Sequence, residues 1–340
     1  MRIHYFDNFR AVAILIVILG HCYVNWNIDT FPEQLVKNVI TGGTSAFVFI
    51  SGFFLHQIFY LKVTSLNFFN SKILKLAVPY TFLSLSYLII FYFLTGSFPV
   101  HDIIEERNDF EIFVINFLTG HHIAAYWYIP FILIVFALTP LFFFFIKISF
   151  VSKLIIIVLG FGLSSFLWRP AGGLNPFHSF LYFYPFYLLG IAYSQYKEYF
   201  ENIFVRYKHL ILCAFIATVV SMTFLGQVGN SMKSIAFEIV GYDFMVLQKA
   251  LLIMVFLAYL RAYANREIPI GKYIADRSFP LFFLHGWVIG LLSFSGINYL
   301  FSETFLGVIL RFLLVVLLTL GSVNIIQKLL KSKSQYYIGS

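Results

Sequence analysis

The chain has 340 residues, of which 60% are hydrophobic and only 11% are charged. Because soluble domains carry about 25% charged residues, this composition excludes an ordinary soluble protein and predicts an integral membrane protein. The formal net charge of +8 comes from basic residues in short loops between apolar segments, where they set orientation, so we expect no nucleic-acid partner. The two cysteines, Cys22 and Cys213, fall in apolar segments, which excludes a disulfide framework.

In chain order, long apolar segments predict an all-α fold: a polytopic membrane helical bundle of about ten transmembrane helices in contact with lipid. Residues 1–340 are treated as a single domain because no linker, low-complexity tract or internal repeat interrupts the pattern. The apolar stretch 111–118 is too short to cross a bilayer and predicts an interfacial helix. The predicted spans cover about 9–25, 43–61, 77–95, 127–146, 154–168, 177–196, 209–226, 244–263, 279–298 and 306–328.

The basic residues predict the orientation of these helices. Most lysines and arginines fall in loops on the side of the N-terminus, and the positive-inside rule then places both termini in the cytoplasm. The first segment lacks a small-residue cleavage site, so it is interpreted as an uncleaved span rather than a signal peptide. The basic residues that depart from the rule are Lys37, Arg107, Arg169, Lys233, Lys249 and Arg311.

The first span carries two ionisable residues, Arg10 and His21. Eleven helical steps of about 100° bring both side chains to one face, about 16 Å apart along the axis. Ionisable residues within a membrane are costly to keep and indicate a functional site. Two structural alternatives stay open: Arg10, close enough to pair with Asp7, can reach lipid headgroups, and His21 can bond a backbone carbonyl. As an imidazole, His21 is suited to accept a proton during group transfer.

Two further motifs carry candidate residues. In the second span, Ser51 and Gly52 form a small patch among large side chains. Close helix packing explains Gly52, whereas Ser51 is a candidate substrate-binding residue. In the following loop, Lys72 and Lys75 are three residues apart and are expected to share a helix face. They either set orientation or form a cationic site for a phosphate-bearing ligand.

Two residues of later spans are also candidates. Trp127 lies in the segment AYWYIPF at the outer end of the fourth span, where aromatic residues form an interface belt or bind a sugar at the mouth of a site. His285 lies inside the ninth span, and a second histidine in the same bundle as His21 favours a polar cavity. No metal-ligand spacing, Walker motif, GxSxG or HExxH is present, so we expect no metal, and neither a serine hydrolase nor a zinc protease is supported.

Several motifs, ordered along nearly the whole chain, resemble the integral-membrane acyltransferase 3 family. The first comprises Asp7, Arg10 and His21 and is similar to the family's signature of arginine, ten residues and histidine. Lys72 and Lys75 stand where the family usually has arginines, which removes the bidentate geometry of arginine there. The other motifs are FVFISGFFL (47–55), SKILKLAVPY (71–80), YWYIPFILIVFALTP (126–140), YPFYLLGIAY (184–193) and SFPLFFLHG (278–286).

The resemblance implies a membrane O-acyltransferase, usually an O-acetyltransferase, in the bacterial cytoplasmic (inner) membrane. It further implies that acetyl-CoA, or another acyl-CoA, is the donor and that a cell-envelope carbohydrate or glycolipid is the acceptor, as in polysaccharide modification. The arginine and histidine regarded as essential in the family correspond to Arg10 and His21.

The hypothesis assigns a role to each candidate residue. The phosphates of CoA bind near Arg10, Lys72 and Lys75 from the cytoplasm. His21 acts as general base on the acceptor hydroxyl or briefly carries the acyl group. The candidate substrate-binding residues are Trp127, His285 and Ser51.

Two other functions remain open from the sequence alone. A transporter or exporter of a polysaccharide or its precursor fits the spans and the intramembrane charge, although such proteins often contain inverted repeats, and none is visible here. The second alternative function is a non-catalytic scaffold in an envelope polysaccharide complex. Neither explains why Arg10 and His21 share one face. The sequence does not determine the acceptor or the choice between an acetyl, succinyl or longer acyl group.

Overall fold

A computed structural model describes residues 3–23, 26–60, 62, 64–233, 235, 238, 241–263 and 266–339. This part of the chain is mostly helical, with two short strands, β1 (Arg169–Pro170) and β2 (Met232–Lys233), that pair in parallel. The helices are α1 (His4–Gly20), α2 (Phe31–Ile40), α3 (Gly43–Phe54), α4 (Ser65–Lys72), α5 (Val78–Thr95), α6 (Asp109–Thr119), α7 (Tyr128–Ala137), α8 (Thr139–Lys147), α9 (Phe150–Leu167), α10 (Pro176–Gln195), α11 (Lys197–Arg206), α12 (Lys208–Phe224), α13 (Phe244–Leu260), α14 (Pro269–Asp276), α15 (Ser278–Phe294), α16 (Phe305–Leu330) and α17 (Ser334–Ile338).

The predicted helical membrane bundle is confirmed. Within the described ranges, 5 helical stretches are long and apolar enough to cross a membrane, and up to 8 if each bent helix pair is one span. Two further helices, α1 and α10, cover 9–20 of the predicted span 9–25 and nearly all of the predicted span 177–196. Residues 24 and 25 of the first of these lie outside the described residues. The number of crossings stays a prediction.

Three of the predicted spans belong to bent helix pairs. Helices α7 and α8 meet at 56°, α11 and α12 at 75°, and α14 and α15 at 70°. Pro140, in the first turn of α8, explains the first bend because proline has no N–H to continue the hydrogen bonds of α7. The continuous span predicted over 127–146 is therefore a broken helix. The stretch 111–118, predicted to be an interfacial helix, lies within α6.

Both ends of the described chain lie at the same end of the bundle. Near the N-terminus, Arg10 donates a hydrogen bond to Ser278. Near the C-terminus, Gly339 packs so closely on Phe283 that an added Cβ would lie 2.9 Å from its ring. Because Ser278 and Phe283 occupy the first two turns of α15, we call this the inner end. Its assignment to the cytoplasm stays a prediction from the positive-inside rule.

Helix α1 lies in the interior of the bundle. It packs against α3, α13, α14, α15 and α16. The contact with α3 is close because a Cβ on Gly43 would lie 2.8 Å from the backbone nitrogen of Val17. Large apolar side chains instead face outward on peripheral helices: Phe93 on α5 is 83% exposed and Leu329 on α16 is 74% exposed. This distribution suits a lipid-facing surface around a central helix.

Two glycines allow α3 and α10 to cross at close range. A Cβ on Gly52 would lie 2.1 Å from the carbonyl oxygen of Tyr187, and one on Gly190 would lie 2.0 Å from that of Phe49. Both neighbours are backbone atoms, which cannot give way without moving a helix. The prediction that Gly52 mediates close helix packing is confirmed.

Gly52→Ala should therefore destabilise the protein by about 1–3 kcal/mol, the usual cost of overpacking. The control is Gly162→Ala in α9, where an added Cβ meets no atom within 4 Å and where alanine favours a helix more than glycine does. Thermal unfolding of the two purified variants in detergent compares the effects. Equal midpoints would contradict the close crossing.

Candidate active site

Three adjoining cavities follow the face of α1 that carries Arg10 and His21. The inner cavity has a volume of about 230 Å³, and Arg10 and Lys72 line it. The waist, of about 30 Å³, shares Ser51 with the inner cavity. The outer cavity, of about 70 Å³, contains His21 and shares Trp127 with the waist. Arg10 and His21 thus lie at opposite ends of one series of cavities.

Arg10 lies where the pair α14–α15 is broken. Its Nη2 donates hydrogen bonds to the carbonyl oxygen of Ala275 at 2.8 Å and to Ser278 Oγ at 2.9 Å. Its Nη1 lies 3.9 Å from Asp7 Oδ1, one helical turn earlier. Through these bonds, Arg10 connects α1 to the break between α14 and α15, beside the inner cavity.

Lys72 also lines the inner cavity, and it is held by aromatic rings instead of a carboxylate. Its Nζ lies 4.8 Å from the ring centroid of Phe59, 5.3 Å from that of Phe68 and 5.6 Å from that of Phe136. Ring faces stabilise a cation without accepting its conventional hydrogen bonds. In the part of the chain that the structure describes, Lys72 has no hydrogen bond or ion pair, so its three N–H donors remain available to a ligand.

Lys75 does not line the inner cavity, in contrast to the prediction that it shares a face with Lys72. Helix α4 ends at Lys72, and Ile73–Ala77 forms a turn of π-helix. A π-helix has a wider turn than an α-helix, so residues three apart no longer project in the same direction. Lys75 is exposed on the surface.

The waist separates the two larger cavities. The hydroxyl-bearing residues Ser51 and Ser278 line it together with Phe47 and Phe279, and all four also line the inner cavity. A volume of about 30 Å³ admits one or two water molecules but not a sugar ring. Ser51, predicted to bind substrate, is thus placed at the junction between the cavities.

His21 follows the last residue of α1 and is partly exposed to the outer cavity. Its ring makes no hydrogen bond to any described residue. Behind it, His285 is fully buried, and its Nδ1–H donates to the carbonyl oxygen of Leu281 at 2.9 Å. The lone pair of His285 is therefore on Nε2, which has no partner among the described residues. The two ring centroids are 5.5 Å apart, a separation that one water molecule can bridge.

Arg169 supplies the positive charge of the outer cavity. It is only 8% exposed, and its guanidinium carbon lies 4.2 Å from the ring centroid of Trp127. The guanidinium therefore covers a face of the Trp127 ring that sequence reasoning assigned to a sugar. Burial lowers the pKa of Arg169 to about 10, which leaves it charged at neutral pH.

A strained backbone directs Arg169 into the bundle. The preceding residue, Trp168, has φ 58° and ψ −179°, a conformation that is essentially restricted to glycine and costs about 1–3 kcal/mol. It is retained because Trp168 Nε1 donates to the carbonyl oxygen of Gly241 at 3.0 Å and because β1 pairs with β2. Gly173, at φ 71°, follows in the same loop. A Cβ added to Gly173 would lie 2.5 Å from the Cβ of Trp127, so only glycine fits there.

A buried hydrogen-bonded chain lies next to this loop. Lys249 Nζ donates to Tyr182 Oη at 2.9 Å, and Tyr182 Oη donates to Asp243 Oδ2 at 2.9 Å. Asp243 Oδ1 also accepts the backbone N–H of Met245 and caps α13. Burial raises the pKa of the Asp243 carboxyl, and the Lys249 charge opposes that rise. The Asp243 carboxylate thus accepts hydrogen bonds from Tyr182, which links it to Lys249, and from the N-terminal end of α13.

A second arginine holds the outer end of α1. Arg311, on α16, is 1% exposed. Its Nη1 donates to the carbonyl oxygen of Cys22 at 2.9 Å, and its Nη2 donates to that of Asn298 at 3.1 Å. A cation near the C-terminal end of a helix also interacts favourably with the helix dipole. Arg311 therefore fixes the residue that follows His21.

The arrangement combines a cationic inner cavity with a histidine-bearing outer cavity inside a membrane bundle. A family model for acyltransferase 3, described as an acyltransferase domain, matches residues 3–326. The chain belongs to the acyltransferase 3 family. It is a membrane acyltransferase. No curated protein and no solved structure matches the chain significantly.

The sequence analysis assigned no role in the site to Arg169 and Lys249, which are among the buried basic residues of this acyltransferase. The signal that could have found them is their departure from the positive-inside rule, since both fall in segments predicted to lie on the outer side or inside a span. The basic residues that depart from the rule and are buried are Arg169, Lys233, Lys249 and Arg311. A lysine or arginine that does not serve orientation must serve structure or a ligand.

The Lys249–Asp243 pair predicts non-additive effects on the stability of the acyltransferase. Asp243→Asn or Lys249→Met leaves one buried charge without its partner and should destabilise the protein by about 3–5 kcal/mol. The double variant Asp243→Asn with Lys249→Met removes both charges and should recover most of the loss. Chemical unfolding of the purified variants measures the coupling, and additive losses would contradict it.

Proposed function

We propose that this membrane acyltransferase moves an acyl group, most simply acetyl, from cytoplasmic acyl-CoA to a hydroxyl of a cell-envelope carbohydrate or glycolipid in the bacterial inner membrane. The observation that carries the proposal is the alignment of the two cavities on α1. A cationic cavity at the inner end adjoins, through a narrow waist, a cavity at the outer end that contains His21.

The inner cavity suits the donor. The phosphates of CoA need cationic hydrogen-bond donors, and Lys72 offers its three N–H groups beside Arg10. The remaining lining is largely apolar, with Phe54, Ile58 and Phe136 among its residues. Such a lining would suit the narrow pantetheine arm of CoA. This arm would have to bridge the axial separation of about 16 Å between Arg10 and His21.

The chemical step takes place at His21. The acceptor oxygen attacks the thioester carbonyl carbon, a C–O bond forms, and the C–S bond breaks. His21 takes the proton of the hydroxyl and returns it to the departing CoA thiolate. In the covalent alternative, His21 first accepts the acyl group from CoA and then passes it to the acceptor oxygen. A positioned base contributes about 10²–10⁴-fold, so orientation inside the cavity supplies the rest.

His285 supports His21 in this proposal. With its Nδ1–H engaged by Leu281, His285 presents a lone pair and accepts a hydrogen bond from a water molecule or from protonated His21. Trp127 holds Arg169 at the acceptor side of the cavity, and Ser51 lies on the donor path through the waist.

The narrow waist favours group transfer over transport of a glycan. The waist between the larger cavities has a volume of about 30 Å³, which is too small to hold a sugar ring. A transporter or exporter would need a wider path through the same helices. An unchanged acylation pattern with altered glycan flux in variants of His21 would support that alternative.

His21→Ala and His21→Gln should both abolish acyl transfer. Glutamine retains hydrogen bonding but cannot take up a proton near pH 7. The readout is mass spectrometry of acylated envelope glycans together with acyl transfer by the purified protein.

The matched control for this experiment is His56→Gln. His56 bonds Ser194 at 2.9 Å outside the three cavities, and its variant should retain activity. Both His21 variants should reach the membrane at normal levels, because a polar group is removed or exchanged in a span. Near-normal transfer by purified His21→Gln protein would exclude His21 from the chemistry.

Lys72 and Lys75 should differ in their effect on donor binding. Lys72→Ala should raise KM for acyl-CoA by about 10-fold or more, since charged hydrogen bonds are worth about 1.5–3 kcal/mol, and should change kcat less because phosphate contacts persist in the transition state. Lys75→Ala, at an exposed position, should change KM by less than about twofold. Steady-state kinetics measure both. Equal increases in KM for the two variants would contradict the prediction that Lys72, and not Lys75, binds the phosphates of CoA.

A further inference from the structure

We propose that Arg169 binds a negatively charged group, a carboxylate or a phosphate, on the acceptor carbohydrate. The acceptor class is then an acidic sugar or a phosphorylated glycan. This inference rests on the proposed function for the acceptor's identity, but the anion site itself depends only on Arg169 and its surroundings.

The guanidinium of Arg169 is buried without a counter-ion. The residue is 8% exposed, and its Nε has no hydrogen-bond partner among the described residues. None of its nitrogens forms a hydrogen bond or an ion pair with any of the residues that the structure describes. Removing a cation from water without a partner is costly, so a site of this kind is completed by an anion.

The stacking of Arg169 leaves its hydrogen-bonding edge free. Its contacts within the described structure are with ring faces, at 4.2 Å from the centroid of Trp127 and 6.0 Å from that of Phe183. Ring faces hold the plane of the guanidinium while its N–H groups, which lie in that plane, remain available. This fork matches the two oxygens of a carboxylate or phosphate.

The neighbouring carboxylate does not neutralise Arg169. Asp243 accepts hydrogen bonds from Tyr182 and from the backbone of Met245 and lies opposite Lys249 through the tyrosine hydroxyl. The cluster of Arg169, Lys249 and Asp243 therefore contains one more positive than negative charge. The excess lies on the wall of the outer cavity.

A second polar atom in the outer cavity suits a carbohydrate. Asn230 Oδ1 is buried without a partner in the described structure, and Asn230 lines the cavity together with Arg169 and His21. An amide oxygen accepts a hydrogen bond from a hydroxyl. One ligand with an anionic group at Arg169 and hydroxyls at Asn230 and His21 satisfies all three residues.

The strain at Trp168 supports a functional role for this position. A non-glycine residue at φ 58° and ψ −179° persists only when its surroundings hold it, and such residues cluster at ligand sites. The residue that the strained backbone aims at the cavity is Arg169. A purely structural arginine would be expected to have protein acceptors, as Arg311 does.

The test measures binding and kinetics separately on the full-length protein in detergent or nanodiscs. The probes are glucuronate, glucose 1-phosphate and neutral glucose, followed by thermal shift or calorimetry, with CoA binding as the folding control. The variants are Arg169→Gln, Arg169→Lys and, as matched control, Arg107→Gln, since Arg107 is an exposed partner of Glu111.

Wild type and Arg107→Gln should bind the two anionic probes at least about tenfold more tightly than glucose. Arg169→Gln should lose this preference while it still binds CoA. Arg169→Lys keeps the positive charge but loses the planar fork of N–H donors, so it should retain part of the preference for anionic probes. If Arg169→Gln does not fold, a reduced preference in Arg169→Lys tests the proposal instead. With an acidic acceptor, Arg169→Gln should raise the acceptor KM more than it lowers kcat.

Three outcomes would overturn the proposal: equal binding of charged and neutral probes by wild type, an Arg169 variant that lowers kcat at unchanged acceptor affinity, or an effect only on the choice between succinyl-CoA and acetyl-CoA. The last would place the anion on the donor. Failure of the proposed function gives a different result from failure of the anion site. The protein would then show no acyl transfer, while binding of the anionic probes would still depend on Arg169.

Discussion

The position of α1 depends on two arginines, the partly buried Arg10 near its inner end and the buried Arg311 at its outer end. Arg10 is part of α1 and bonds the broken pair α14–α15, whereas Arg311 reaches from α16 to the carbonyl that follows His21. Inside a bundle with little water, such charged hydrogen bonds are strong and leave few alternatives. They prevent α1 from rotating or sliding, and the cavity-lined face therefore keeps Arg10 and His21 in one line.

Two of the cations that line the cavities, Lys72 and Arg169, share a mode of support. Lys72 is held by Phe59, Phe68 and Phe136, and Arg169 lies against Trp127. A carboxylate partner would occupy the N–H donors of each cation, whereas an aromatic ring stabilises the charge and leaves the donors free. The high aromatic content of the chain, 21%, thus contributes to ligand binding as well as to contact with lipid.

Broken and closely packed helices create the space between these cations. The bend between α14 and α15 places Ser278 at the waist, and the glycine crossing of α3 with α10 brings Ser51 to the same level. A strained turn after α9 then carries Arg169 into the outer cavity. Irregular backbone within a membrane bundle is tolerated where it lines a cavity, and these irregularities lie at the site.

The sequence by itself determined the membrane class, the approximate positions of the spans and the shared face of Arg10 and His21. These follow from composition and from the period of one helix, which are local properties of the chain. It also predicted the tight packing at Gly52, because a glycine among large side chains indicates a close crossing. The ordered motifs indicated the family before any contact was known.

The tertiary structure alone decided which side chains meet. The α-helical period predicted that Lys72 and Lys75 share a face, but a π-helical turn separates them. Arg169 was one of several unexplained basic residues until the loop after α9 brought it to Trp127 and His21. The physical reason is that a periodic pattern specifies the face of one element, whereas loop conformations, helix breaks and neighbours across the bundle depend on contacts between residues far apart in the chain.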